Sequence, residues 1–163
     1  MKTRTRAALM IAASFCFCSS IIAAQTKPDF SGVWKMNREK SKFPAMENIR
    51  MENIREVVSK IEHKEPNFSE SMTITGVDGD RTVEVKYTTD GKETTMKLPY
   101  LTGSVKATAK WEGDALTVEG KAEEFNVRGK YTLSADGKTL TKASHLSTPN
   151  GDVDGIIVFE KQF

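Results

Sequence analysis

The sequence predicts an all-β domain, an up-and-down antiparallel barrel of about eight to ten strands. Turn dipeptides recur at short intervals: Pro66-Asn67, Asp78-Gly79, Asp90-Gly91, Glu112-Gly113, Asp136-Gly137 and Asn150-Gly151. Asp-Gly and Asn-Gly suit tight hairpins because they tolerate the positive φ angles such turns need. Between the turns, residues two apart share a character. In "RTVEVKYTT", Val83, Val85 and Tyr87 face one way while Thr82, Glu84 and Lys86 face the other, which is the period of a half-buried strand. No stretch is long enough for crossover helices, so parallel βαβ units are excluded. Antiparallel strands leave exposed edges unless the sheet closes. A sandwich is the other solution, and consecutive short hairpins favour the barrel.

The first element stands outside this pattern. Lys2, Arg4 and Arg6 precede an apolar run, Ala7 to Phe17, and Ala23-Ala24 supply small residues, with Ile22 before them. That is the layout of an export signal, too short for a membrane span. Residues 1–24 are therefore expected to be cleaved, leaving a single domain over 25–163 that begins at Gln25, in the periplasm or outside the cell. The leader holds three of the 24 Lys and Arg and none of the 22 Asp and Glu, so the formal charge of +2 becomes about −1 without it. Such a surface has no electrostatic footprint for nucleic acid.

The strands are expected at 30–36, 55–65, 68–77, 81–89, 92–98, 104–112, 115–122, 125–134, 139–147 and 155–161. The exception is "PAMENIRMENIR", residues 44–55, a tandem pentapeptide whose residues favour helix. It predicts a short helical segment between the first and second strands, across one mouth of the barrel, with Ile49 and Ile54 facing in. It reads equally as a tolerated surface insertion.

The opening "FSGVWKMNREKSKF" carries a Gly-x-Trp on the first strand, at Gly32 and Trp34, with Phe30, Lys35, Ser41 and Phe43 around it. "KWEGDALTV" (Lys110 to Val118) and "VFEK" (Val158 to Lys161) come later in the chain. These stretches resemble the calycin group, the lipocalins and above all the intracellular fatty-acid-binding proteins. The chain is also similar to bacterial exported proteins described only as lipocalin-like. The resemblance implies a closed barrel around a small ligand. In the fatty-acid-binding branch an arginine and a tyrosine of the last strand hold the ligand carboxylate; here Ile157 and Phe159 stand at those positions, so that clamp is absent. Trp34 has a physical reason to be there, since a small barrel needs one large apolar side chain at its base. Gly32, on the same face, would let the strand bend and a facing backbone approach.

Little in the sequence suits catalysis. Cys16 and Cys18 lie in the leader, which leaves the mature chain without thiol chemistry or disulfides. His63 is in phase with Val57 and Ile61 and should point inward, whereas His145 should face solvent; two histidines on opposite faces make no metal site. A lone inward histidine reads first as a hydrogen-bonded core residue. The carboxylates alternate with lysines on outer faces or sit at turns, as at Asp152 and Asp154. No cofactor is expected.

The inner face is mostly apolar, and Ala107 and Ala109 leave room in it. Ile61, Met72, Met96 and Trp111 would line a cavity, and His63, Tyr87, Tyr131 and Ser144 would orient a ligand's polar head. Lys142 and Ser59 also fall in phase with the interior. The expected function is the binding of a small apolar or amphipathic molecule without catalysis. Two alternatives stay open. One is a packed barrel acting through its surface, as an envelope interaction protein or a protease inhibitor with Gln25–Asp29 as a free trunk. The other, enzymatic, would move protons between Tyr87 and His63.

Overall fold

The computed structural model describes residues 26–43, 51–97 and 103–163. Ten strands succeed one another: β1 (Gly32–Met36), β2 (Ile54–Lys64), β3 (Asn67–Gly76), β4 (Gly79–Thr88), β5 (Thr94–Met96), β6 (Val105–Glu112), β7 (Ala115–Lys121), β8 (Asn126–Leu133), β9 (Thr139–Thr148) and β10 (Gly151–Gln162). All pair antiparallel in one sheet of order β4-β3-β2-β1-β10-β9-β8-β7-β6-β5. One sheet in this order is a barrel, not a sandwich. Its two end strands, β4 and β5, share no ladder; the segment after β4 instead reaches β6, where the Gly91 N–H donates to the Ala109 carbonyl at 2.9 Å and Asp90 bridges to Lys110. The barrel is therefore nearly closed, with a gap between β4 and β5.

The expected strands each have a counterpart, and the turn dipeptides do what their chemistry requires. Gly113 (φ 62°) and Gly137 (φ 68°) both occupy the left-handed region, where an L side chain is strained. β10 begins earlier than expected. Asn150-Gly151 turns tightly enough that pairing starts at once, with Gly151 opposite Thr148. Asp152 and Asp154 thus lie on β10 rather than in a turn. They flank exposed His145 on β9, whose Nδ1 is 2.8 Å from Asp154 Oδ1 and whose Nε2 is 3.7 Å from Asp152.

The helix expected at 44–55 is not found among the described residues. Residues 44–50, Ile49 included, lie outside them, and Met51–Asn53 form a single 3-10 turn. Ile54 already opens β2 and pairs with Gly76. The apolar, β-branched run Ile54, Val57, Val58 and Ile61 has a ready partner in β3, and cross-strand pairing outweighs the modest helix propensity of the repeat.

The base of the barrel is sealed by aromatic side chains. Trp34, Phe30, Phe68 and Phe159 are fully buried, with Leu116, Leu140 and Val57. The Trp34 indole N–H donates to the Phe30 carbonyl at 2.9 Å, so the large side chain leaves no orphaned donor. Gly32 takes φ 141°, and a Cβ there would stand 2.9 Å from Lys161 Cε. What approaches it is thus the Lys161 side chain on its way to the Trp34 ring, 5.3 Å from ammonium to centroid, and not a facing backbone.

Candidate functional site

The barrel carries two polar groupings, one at the solvent edge of its base and one across the lumen. At the base the β2–β3 turn brings Glu65 under the aromatic plug. Its carboxylate accepts from Thr89 Oγ1 at 2.5 Å, from the Trp111 indole at 2.7 Å and from His63 Nε2 at 2.9 Å. The other imidazole nitrogen, Nδ1, accepts from the Phe30 N–H at 3.4 Å. Around it, Phe30 stacks on Trp111 with centroids 5.7 Å apart, and Phe68 stacks on Tyr87 at 4.8 Å. Burial pushes the Glu65 carboxyl up, but the bonds from Thr89, His63 and Trp111 outweigh it, and the group sits below its ordinary value. A carboxyl depressed in the fold stabilises above its unfolded pKa, and that contribution is lost as pH falls through the folded value. Glu65→Gln should therefore flatten the acid-side loss of stability, read as urea midpoints between about pH 6 and about pH 3. An unchanged slope would place that loss on Asp29 and the surface carboxylates instead.

The second grouping is only half legible in the sequence. Glu70 on β3 and Lys142 on β9, on opposite walls, form an ion pair across the lumen. Their side chains are only 5% and 12% exposed. Ser59 Oγ donates to Glu70 Oε1 at 2.5 Å, the Tyr131 hydroxyl donates to Oε2 at 3.0 Å, and the ammonium also reaches Ser59 Oγ at 3.4 Å. Lys142 lies over the rings of Tyr131, at 5.1 Å, and Phe159, at 4.8 Å. Desolvation lowers its ammonium below the usual lysine range although Glu70 opposes the shift. The Tyr131 phenol is pushed up by burial and by the Glu70 charge.

The eight expected site residues fall into three groups. His63 and Trp111 are tied into the base through Glu65, and Ile61 is buried beside them, opposite Gly32 and Glu70. Tyr131 belongs to the cross-lumen cluster, and Tyr87 stands between base and cluster. Met72 pairs with Ser59 and Val83, and Met96 with Val105; both are partly buried against the core. Ser144 stands in register between Gly129 and Gly155. Glu70 is the residue that sequence reasoning missed. Its position between Phe68 and Met72 was the available signal, since period two puts all three on one face.

Inward-facing Met72, Ile74 and Val118, together with Val85 and Ile157 in register with Glu70 and Lys142, are only partly buried. These side chains are apolar and keep accessible surface, as does Trp111 at the base, whereas Trp34, Phe30, Phe68 and Phe159 do not. A cleft of about 700 Å³ also lies against the β2–β3–β4 wall, lined by Ile61, His63, Phe68 and Tyr87, with Thr94 across the β4–β5 gap.

No hydrogen bond links His63 to Tyr87 among the described residues. Both His63 nitrogens are engaged, and Phe68 packs against both rings, 5.7 Å from His63 and 4.8 Å from Tyr87. Lys27 Nζ donates to the Gly113 carbonyl at 3.0 Å and lies 5.4 Å from the centre of the Trp111 ring, while Phe30 is fully buried. Of the expected trunk, Gln25 lies outside the described residues and Thr26, Lys27 and Asp29 are exposed.

No family model and no curated protein matches the sequence. The fold is nonetheless that of the fatty-acid-binding proteins and the wider calycin group. Zebrafish ileal bile acid-binding protein, solved with cholic acid, superposes with a TM-score of 0.57 at 19% identity, over 82% of this chain and 98% of that one. Fatty-acid-binding protein 1 of Echinococcus granulosus gives 0.61 at 14% identity, over 82% and 98%. Secretory abundant heat soluble protein 4 of Ramazzottius varieornatus gives 0.58 at 14%, over 86% and 100%. At such identities the likeness establishes the fold. In this barrel Phe159 is fully buried, and Ile157 pairs directly with Lys142, the interior cation whose counter-ion is Glu70.

Proposed function

We propose that this protein is an exported carrier that holds one small apolar or amphipathic molecule inside the barrel and performs no chemistry on it. The observation that supports this reading best is the division of the interior. A buried aromatic group and a buried ion pair share the interior with apolar side chains, Met72, Ile74, Val85, Val118 and Ile157, that are only partly buried. Small-molecule sites are built this way, mostly apolar with a few convergent polar groups. The similar zebrafish barrel was solved with cholic acid, and the Echinococcus one is named for fatty acids. Residues 1–24 act as the export signal, and the carrier works in the periplasm or outside the cell.

The test uses protein recovered after export, beginning at Gln25. Titration with the neutral fluorophore N-phenyl-1-naphthylamine should give a saturable rise that levels at one probe per chain, and solvent extraction should release a molecule of lipid-like mass. No saturable binding of the probe, together with an empty extract, would contradict the carrier reading and leave the molecular surface as the site of action.

A further inference from the structure

Two buried side-chain polar atoms have no hydrogen-bond partner among the described residues, the Tyr87 hydroxyl and Thr117 Oγ1. By strand phase Thr117 points out of the barrel, between inward Leu116 and Val118, while Tyr87 points in, opposite Phe68. A buried hydroxyl without a partner forfeits the bonds it would make to water, so such groups are rare unless something else binds them. Tyr87 is 5% exposed; its hydroxyl faces that of Tyr131 without a well-formed hydrogen bond and feels the Glu70 charge, which places it beside the cross-lumen cluster.

The cluster itself has little to offer an anion. The Lys142 ammonium is already met by Glu70 and Ser59, and Glu70 is met by Lys142, Ser59 and Tyr131. The pair is neutral as a unit. A ligand carboxylate would have to displace Glu70 from Lys142 and leave one carboxylate buried without its cation, which is strongly unfavourable. A neutral oxygen asks for no such exchange and can bond to the Tyr87 hydroxyl.

Resting on the carrier reading above, we propose that the lumen selects neutral amphipathic molecules bearing a hydroxyl or carbonyl oxygen, bound through Tyr87, and discriminates against free fatty carboxylates. Glu70 is then a built-in counter-ion that sets specificity, and Tyr87 is the residue that touches the ligand head.

The experiment compares 1-dodecanol with dodecanoate as competitors for bound N-phenyl-1-naphthylamine. The alcohol should bind about tenfold more tightly than the acid. Tyr87→Phe should weaken the alcohol about tenfold more than it weakens the hydroxyl-free probe, and leave stability equal or higher, since an unsatisfied buried group is removed. Glu70→Gln, which frees Lys142, should turn the preference toward dodecanoate; retained probe binding shows that this variant is folded. A wild-type preference for dodecanoate, or an alcohol affinity indifferent to Tyr87→Phe, would overturn the proposal while leaving the carrier reading intact. Failure of the probe itself to bind would overturn both.

Discussion

Glu70→Ala destabilises the barrel by about 3–5 kcal/mol, because it strands the Lys142 ammonium inside a lumen that has no other anion for it among the described residues. The loss should shrink as pH rises. Burial already lowers Lys142, and Glu70 is what opposes that shift; without Glu70 the folded amine releases its proton still more readily than the unfolded one. A base whose folded pKa lies below its unfolded pKa gains relative stability as pH rises between the two values. Denaturant unfolding of the variant and of wild type, at neutral pH and at a pH above the usual lysine range, measures both effects. The paired replacement Glu70→Leu with Lys142→Met removes both charges and should recover most of the loss, since apolar residues of similar volume replace buried ion pairs at little cost. A single variant as stable as wild type at neutral pH would show that the two charges are solvated.

Trp34→Ala is the other large effect, a loss of about 3–5 kcal/mol. The indole is fully buried at the meeting point of β1, β2 and β10, with Ser59 and Lys161 as its cross-strand partners. Its removal leaves a void at the base and takes the donor from the Phe30 carbonyl. Trp34→Phe should recover much of the apolar contact while still leaving that carbonyl unpaired, so it belongs between the other two, about 1–3 kcal/mol below wild type. Urea unfolding of the three proteins sets the order. An alanine variant within about 1 kcal/mol of wild type would mean that the barrel closes without its indole.

Much of this fold is legible in the chain because barrel strands are written locally. Period two and Asp-Gly or Asn-Gly turns are properties of neighbouring residues, and they place strands at 104–112 and 139–147, against β6 at Val105–Glu112 and β9 at Thr139–Thr148, without knowledge of the rest. The misleading segments are those where a distant partner decides. Ile54 joins β2 because Gly76 waits opposite, which the helix-favouring repeat before it does not reveal. Asp152 and Asp154 join β10 because β9 extends far enough to pair with them.

The candidate site shows the same division. Ser59 and Lys142 fall in phase with the interior, and phase alone is enough to place them there. Glu70 obeys the same period, but a carboxylate on an inner face makes physical sense only beside a cation, and its cation lies 72 residues away in sequence. The base is similar: His63 points inward by phase, yet its role depends on Glu65, which the β2–β3 turn delivers to it, Trp111 and Thr89 together.

The central claim is that this barrel is a container whose floor is a neutral ion pair. A crystal structure of the protein from Gln25 onward, at a resolution that places ordered water, tests it most directly. The account predicts electron density for a guest or a chain of waters above Glu70 and Lys142, with one oxygen bonded to the Tyr87 hydroxyl. Side chains packed from the base to the rim, with Tyr87 bonded only to protein, would contradict it.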